Sequence, residues 1–257
     1  METIITNYNK KNNILLNTNL DKDLKKEKTI DVMKRYEYKY ILNAEQTSYL
    51  KEMIKSHMML DEYGLTSIQS LYFDTPDFRL VKNSLEKPMF KEKMRLRSYG
   101  LAKNDTNVFL ELKRKYDGIV YKRRIKSKID LINSFLNYDS EINDTQIEKE
   151  ITYFRNYYEN LIPSCLIIYD RLAYFEENGD LRLTIDHSPR YRFDNLNLTS
   201  SLDGNLLLKP GYTILEIKVQ DSMPLWLTKI LSDAKIYKSS FSKYGSAYLE
   251  YMKNRIN

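Results

Sequence analysis

The chain has 257 residues, 42% of them hydrophobic, which is enough for one large domain or two small ones with an apolar core. It has only 7 glycines and contains neither a G-x-x-x-x-G-K-[ST] nor a G-x-G-x-x-G pattern, which excludes the P-loop and Rossmann classes of nucleotide-binding protein. The net charge of +6 is compatible with an anionic partner.

Cys165 is the only cysteine, so one chain forms no internal disulfide, as is usual in a reducing compartment. No apolar stretch reaches the roughly 18 residues of a membrane span, and no secretory signal pattern is present. We therefore predict a soluble, cytoplasmic protein with no transmembrane segment of its own, although a membrane-protein partner is compatible with the sequence.

Residues 1–30 are rich in Asn, Lys and Asp and show little periodicity, which predicts a mobile polar tail. Residues 31–257 mix strand-like and helix-like patterns without a linker, so we predict one domain there. Eight segments of this domain read as strands, namely residues 35–41, 67–75, 92–98, 108–115, 120–126, 164–174, 181–186 and 214–219. Asp117-Gly118 is a hairpin signal, which predicts antiparallel neighbours.

Helical spacing of apolar residues predicts the remaining elements. Asn43 and Gln46 resemble a capping box that opens the first helix, and Ser127 and Asp130 are predicted to cap a second. Three more helices are predicted over residues 146–161, around residues 223–234 and at the C-terminus. Because these helices are too few to cover both faces of an open sheet, the sequence favours an α+β fold or a sheet closed into a barrel.

Six of the strands alternate charged with apolar residues, so each has one charged and one apolar face. The charged faces hold Arg35, Glu37 and Lys39; Arg95 and Arg97; Glu111, Lys113 and Lys115; Lys122 and Arg124; Arg182, Thr184 and Asp186; and Glu216 and Lys218. The apolar faces need a core, which leaves open where the charged faces point.

A charged face can point to water, as in many antiparallel sheets. Most of these charges are basic, however, and opposed cations in a sheet repel by roughly a few tenths of a kcal/mol or more per pair. Arginine is also frequent, and its planar fork of donors suits bidentate binding of phosphate. A closed eight-stranded antiparallel β-barrel with cationic walls, helices packed outside and phosphates inside explains both features.

Carboxylates stand among these cations at Glu37, Glu111, Asp186 and Glu216, either as ion-pair partners or as ligands of a hard cation. Mg²⁺ and Mn²⁺ take oxygen ligands, usually one or two carboxylates with phosphate oxygens and water. The chain has only two histidines, which does not support a His-based zinc site. No hydrolytic triad can be assembled, so the chemistry would rest on positioning and charge stabilisation, as in phosphoryl transfer.

The order of several short motifs resembles a known family. The motifs are R-x-E-x-K-Y (35–40), S-x-Y-F-D-T-P (70–76), K-x-R-x-R-S-Y-G (93–100), E-L-K-R-K (111–115), K-R-R (122–124), Y-D-R-x-A-Y (169–174), L-R-x-T-x-D (181–186), E-I-K (216–218) and S-F-S-K-Y (240–244). Over about residues 33–250 they resemble the VTC domain, the polyphosphate polymerase domain of vacuolar transporter chaperone complexes and of bacterial relatives, within the triphosphate tunnel metalloenzymes.

The resemblance implies an eight-stranded antiparallel tunnel that binds ATP and polyphosphate together with Mn²⁺ or Mg²⁺. It implies catalytic phosphate contacts from Lys39, Arg95, Arg97, Lys113, Arg182 and Lys218. Further substrate-binding residues would be Arg124, Arg171, Lys243, Lys115, Lys122 and Tyr244. Glu216 would be the principal metal ligand, with Glu37 and Glu111 as weaker candidates.

Two positions depart from the family pattern. Tunnel enzymes begin with E-x-E-x-K, but Arg35 stands at the first glutamate position, which removes one possible metal ligand or base and favours phosphate binding. Ser240 stands where an active polymerase is expected to carry a second basic residue shortly before Lys243, and Lys238 is the nearest other cation.

The predicted function is a metal-dependent polyphosphate polymerase that transfers the terminal phosphate of ATP to a growing chain. A tripolyphosphatase or nucleoside triphosphatase of the same architecture stays open, because transfer to water uses the same cationic scaffold. A non-catalytic module for polyphosphate or inositol phosphates also stays open. Nucleic-acid binding is disfavoured, because Tyr36, Tyr38 and Tyr40 alternate onto the face opposite the charges, so that stacking and phosphate contact would fall on different surfaces.

Overall fold

The computed structural model describes residues 36–117, 119–142 and 144–256. The predicted tail over residues 1–30 and the predicted departure at Arg35 lie outside these ranges. Within them, no helix is long and apolar enough to cross a membrane.

Ten strands of the described chain form one antiparallel sheet. They are β1 (Tyr36–Leu42), β2 (Met59–Leu60), β3 (Thr66–Asp74), β4 (Phe90–Tyr99), β5 (Asn107–Tyr116), β6 (Ile119–Lys128), β7 (Ile162–Phe175), β8 (Arg182–Arg192), β9 (Asn205–Leu206) and β10 (Thr213–Val219). Their hydrogen-bonded order is β1-β10-β8-β7-β3-β4-β5-β6, with β2 paired to β7 and β9 paired to β8. All eight predicted strands are confirmed, and β5 pairs antiparallel with β6 across the predicted hairpin.

Six α-helices accompany the described sheet. They are α1 (Ala44–Met53), α2 (Arg79–Leu85), α3 (Ile129–Leu136), α4 (Gln146–Tyr158), α5 (Leu225–Asp233) and α6 (Lys243–Ile256). The capping box of α1 is confirmed, because the Asn43 side chain accepts from the backbone N–H of Gln46 at 2.8 Å and the Gln46 side chain accepts in return at 3.0 Å. The predicted caps of α3 are wrong: Ser127 belongs to β6, where it pairs with Val108, and no side chain caps this helix.

The apolar residues of the alternating strands pack on one face of the sheet, here called the outer face. There α3 and α4 cover residues of β3, β4 and β5 such as Leu96 and Leu112, which are buried with Phe135 and Phe154. At the other end of the sheet α1 and α5 cover β1, β8 and β10. The predicted strand parity is thus confirmed, and it directs the charged residues to the opposite, inner face.

Two helices pack on the inner face, which corrects the prediction that all helices lie outside the barrel. There α2 and α6 cover Ile68 and Tyr72 of β3 and Ile167 of β7, with Tyr244 and Tyr248 of α6 buried among them. The physical reason is that β3 and β7, at the centre of the sheet, are apolar on both faces and so need cover on both.

The predicted closed barrel is also corrected, because the sheet is open. Among the named strands of the described chain, β1 pairs only with β10 and β6 pairs only with β5, so these two strands are the edges. Beyond β10, β1 makes one isolated bridge, from Tyr40 to Lys238. Burial and the charge of Lys218 lower the pKa of Lys122 on β6, while the carboxylates Glu37 and Glu216 raise it, so charges of both signs from β1 and β10 act on this side chain.

Candidate polyanion-binding site

Charged side chains of the inner face meet although their strands lie far apart in the sheet. The Lys113 Nζ on β5 lies 3.8 Å from the Glu37 Oε2 on β1, and five strands separate β1 from β5 in the hydrogen-bonded order. Such a contact requires the sheet to curl with this face inward. The inner face is therefore the lining of a groove.

Three arginines converge on Glu111 on one wall of the groove. The Nε atoms of Arg95 and Arg124 each lie 2.7 Å from its carboxylate, and the Nε of Arg97 lies 3.7 Å away. Burial raises the pKa of Glu111, but the arginine charges outweigh it and hold the pKa at about 2. Glu111 was predicted as a weaker metal ligand; the structure shows it ionised and occupied by guanidinium groups.

Two buried tyrosines accept hydrogen bonds from two of these arginines and so hold them in position. Tyr72 accepts a hydrogen bond from Arg95 at 3.2 Å, and Tyr169 accepts one from Arg97 at 3.3 Å. The expectation that tyrosines lie opposite the charges therefore holds for β1 but not for these two. They are 9% and 3% exposed, so neither offers a ring face for base stacking.

Arg171 and Lys243 share a second carboxylate on the groove floor. Arg171 binds the fully buried Asp186 with two hydrogen bonds of 2.6 and 2.9 Å, and the Lys243 Nζ lies 2.5 Å from the same carboxylate. Burial raises the pKa of Asp186, but the two cations outweigh it and lower the pKa below its ordinary value. The pair brings β7, β8 and the start of α6 together at one charged point.

Two more carboxylates converge on a lysine where β1 meets β10. The Lys39 Nζ lies 3.2 Å from Glu37 and 3.8 Å from Glu216, and the Lys218 Nζ lies 2.5 Å from Glu216. Burial raises the pKa of Glu216, but the charges of Lys218 and Lys39 hold it well below its ordinary value. Glu216 is therefore ionised and able to accept a cation.

The oxygen donors at this point fit a hard divalent cation. Thr184 lies opposite Glu216 in the strand register, and its buried hydroxyl has no hydrogen-bond partner. Hydroxyl and carboxylate oxygens suit Mg²⁺ or Mn²⁺ when phosphate oxygens complete the shell. Within the described ranges no group of three or more His, Cys, Asp or Glu side chains could hold a metal by itself. Any metal here would therefore depend on its substrate for ligands.

Lys93 lies in the groove and forms no ion pair with a carboxylate of the described chain. Its Nζ donates to the Ser242 hydroxyl at 3.3 Å and lies 6.0 Å from the centre of the Tyr244 ring. Burial together with the charges of Lys113 and Lys91 lowers its pKa to about 7. Lys113 is paired only distantly with Glu37, and burial lowers its pKa to about 8.

Some predicted site residues lie elsewhere. Arg182 is exposed and donates to the carbonyls of Gly179 and Leu181, outside the convergent groups. Tyr244 is buried, and its hydroxyl donates to Asp74 at 2.8 Å rather than pointing into the groove. Its ring, not its hydroxyl, borders the site.

The remaining predicted residues lie on the two outermost strands of the basic wall. Lys122 on β6 faces Lys113 in the register, and Lys115 faces Lys91 on β4. Ser240 borders a pocket beside Lys91 and Lys115. The structure thus brings most of the predicted cations to one groove.

Sequence reasoning left out four groove residues. Lys93 stands in the same K-x-R-x-R run as Arg95 and Arg97, so strand parity alone was enough to find it. Asp186 had been noted among the carboxylates but not as the anchor of Arg171. Tyr72 and Tyr169 lie in continuous apolar runs, where no alternation marks an inner face.

An antiparallel sheet that curls around a groove of arginines and lysines defines a class of protein suited to holding a polyanion. The chain belongs to the VTC domain family, whose model matches residues 34–251. This confirms the resemblance that the motifs carry. A search of curated proteins gave no match.

Several solved structures are distantly similar to this chain. A candidate adenylate cyclase from Bacillus halodurans is 15% identical, with 82% of this chain and 96% of that chain covered and a TM-score of 0.49. A candidate adenylate cyclase from Vibrio parahaemolyticus is 12% identical, with 83% and 97% covered and a TM-score of 0.43. The PH1819 protein from Pyrococcus horikoshii is 13% identical, with 84% and 99% covered and a TM-score of 0.43.

Proposed function

We propose that this protein is a metal-dependent polyphosphate polymerase that transfers the terminal phosphate of ATP to a growing polyphosphate chain in the groove. Membership of the VTC family supports a polyphosphate-related function. The observation that carries the proposal is the convergence of cations from β1, β4, β5, β7, β10 and α6 on one concave surface. A linear polyanion is the ligand that such a surface fits.

The arginines would bind and orient the phosphoryl groups. Arg95, Arg97 and Arg124 present their forks around Glu111, and Arg171 presents its fork on Asp186. These forks are already held in place, so they lose little freedom when they turn toward phosphate oxygens. Positioned donors of this kind are the main source of catalysis in phosphoryl transfer.

The metal would be held by Glu216 and Glu37, with the Thr184 hydroxyl close to Glu216. Bound there, Mn²⁺ or Mg²⁺ would neutralise charge on the transferred phosphoryl group and on the ADP leaving group. Lys39 and Lys218 keep both carboxylates ionised and within reach of the groove. The protein's own contribution is thus orientation, charge and a fixed pair of oxygen ligands.

The direct test is incubation of the purified protein with ATP and Mn²⁺. We expect ADP together with long polyphosphate. Release of orthophosphate without chain growth would instead identify a hydrolase, and intact ATP beside a folded protein that binds polyphosphate would identify a binding module. Either result would contradict the proposal.

Substitution of Glu216 tests the metal-binding part of the proposal. In Glu216→Gln, we expect the rate of ATP turnover to fall at least about tenfold, since even groups that only support a metal ligand commonly cost that much. Glu150→Gln is the matched control, because Glu150 also pairs with basic groups but lies on the outer face with Arg114 and Arg123. Equal loss in both variants would show a general effect of charge or folding.

A further inference from the structure

The basic wall of the groove changes character along β4 and β5. On one half, Arg95 faces Glu111 across the two strands, so the cation has a counter-charge. On the other half, Lys93 faces Lys113 and Lys91 faces Lys115. Two consecutive cross-strand pairs therefore place cation opposite cation.

Such pairs are unfavourable by themselves, since like charges directly opposite each other destabilise a sheet. Within the described ranges, the carboxylate that forms an ion pair with one of these four lysines is Glu37, at 3.8 Å from Lys113. Lys91 has its pKa lowered by burial and then by the charges of Lys115 and Lys87. The half of the wall that holds these four lysines thus retains a positive charge that its own side chains do not offset.

A pocket of about 440 Å³ lies at the outer end of this lysine series. It is lined by Lys87, Lys91 and Lys115, with Ser240 and the single acidic residue Asp117. Lys87 follows α2 and reaches the pocket from a different element than the two strand lysines. Its strand lysines, Lys91 and Lys115, form the next cross-strand pair on the same face after Lys93 and Lys113.

We propose that Lys87, Lys91 and Lys115 form a second anion-binding site, which holds the part of a linear polyphosphate that extends beyond the first few phosphates in the groove. This inference rests on the proposed function for the kind of chain involved. It adds a direction: the carboxylate-bearing half of the groove holds the reacting phosphates, and the lysine half holds the finished chain. Ser240 borders this outer site, so Lys91 and Lys87 supply the positive charge that is missing at position 240.

Polyphosphates of different length distinguish binding at the two sites. Tripolyphosphate is short enough to be held by the arginine half, whereas long-chain polyphosphate also covers the outer lysines. The variant to test is Lys87→Asn with Lys91→Met: asparagine tolerates the positive φ of 55° at residue 87, and methionine keeps the stem of Lys91. The matched control removes two exposed lysines elsewhere, Lys103→Met with Lys209→Met.

We expect the double variant to bind long-chain polyphosphate about tenfold more weakly while its affinity for tripolyphosphate changes less than about twofold. Because each cation that neutralises a phosphate releases counterions, the slope of log K against log salt for the long chain should also fall by roughly one to two. The control should keep the wild-type slope. Calorimetric titration at several salt concentrations measures both quantities, and thermal unfolding verifies that each variant is folded.

Equal weakening of both ligands would overturn the inference, because the lysines would then act on the whole groove. No change for either ligand would overturn it too, since Lys87 and Lys91 would be ordinary surface charges. These binding results do not depend on turnover. If the protein fails to consume ATP but the long chain still loses affinity in the variant, the proposed function fails and the outer site stands.

Discussion

At the scale of single residues, the groove carboxylates organise cations. Glu111 holds three guanidinium groups and Asp186 holds Arg171 and Lys243. A carboxylate in such a position occupies the same donors that a phosphate would use. It keeps the donors pointed into the groove and limits their mutual repulsion.

Glu111→Gln should therefore destabilise the fold by on the order of 3 kcal/mol, because it leaves the buried Arg97 and the partly buried Arg95 without a counter-charge. The pKa of Glu111 is lowered from its ordinary value of 4.5 to about 2. Its stabilising contribution is complete above pH 4.5 and is lost as the pH falls to about 2. Urea unfolding of wild type and variant across this pH range measures the difference between their free energies of unfolding. This difference should shrink toward the acidic end of the range.

Tripolyphosphate should restore more stability to Glu111→Gln than to the wild type, since phosphate takes over the freed arginines. Glu92→Gln is the control, because Glu92 pairs with Arg114 on the outer face, on the side of the sheet opposite the groove. Equal stabilisation of the two variants by tripolyphosphate would show that the arginines around Glu111 do not bind phosphate.

The lowered pKa of Lys93 predicts that the protein takes up a proton when it binds an anion. Burial and neighbouring lysines lower its pKa to about 7, and a bound polyanion favours the charged form and raises the pKa again. At about pH 8 the wild type should take up protons as long-chain polyphosphate binds, and its affinity for this ligand should fall as the pH rises through 7. Calorimetry in buffers of different ionisation enthalpy measures the uptake. Lys93→Met should remove part of it; an unchanged uptake would contradict the role of this lysine.

At the scale of elements, two family motifs join the sheet to its inner helices. Asp74, at the end of β3, accepts hydrogen bonds from the backbone N–H groups of Leu80 and Val81 in α2, at 2.8 and 3.0 Å. It also accepts from the Tyr244 hydroxyl of α6. One buried carboxylate thus fixes both helices that border the groove.

Tyr244→Phe should lower the free energy of unfolding by about 2 kcal/mol, because it removes a hydrogen bond to a buried carboxylate. Tyr251→Phe is the matched control, since the Tyr251 hydroxyl accepts a hydrogen bond from Arg255 near the surface and, within the described chain, forms no other. Chemical denaturation measures both variants. If they lose the same small amount, the Asp74–Tyr244 contact does not hold α6 in place.

The sequence was most informative where patterns are local. Alternation in β4 and β5 predicted the sides of Arg95 and Lys113, and the Asn43–Gln46 box predicted the start of α1. Helix α2 was not predicted, because its start depends on Asp74, whose side chain caps it from the preceding strand. Whether the edges of the sheet meet depends on long-range geometry, which no local pattern records.

At the scale of the whole molecule, the sheet separates two kinds of charged group. On the outer face, Arg114 and Arg123 pair with Glu92 and Glu150 and connect the sheet to α4. On the inner face, cations outnumber the carboxylates they surround and converge from distant strands. Net charge is moderate, so it is the sorting of charge between faces that suits the groove to a polyanion.

The most direct test compares the affinity for tripolyphosphate of Arg95→Gln with that of Arg123→Gln. The two side chains are similarly exposed, at 26% and 28%, and each is paired with a glutamate, but they lie on opposite faces. We predict at least about a tenfold loss of affinity for Arg95→Gln, as expected for a charged hydrogen bond to phosphate, and a wild-type affinity for Arg123→Gln. Equal affinities in the two variants would contradict the assignment of the groove as the polyanion-binding site.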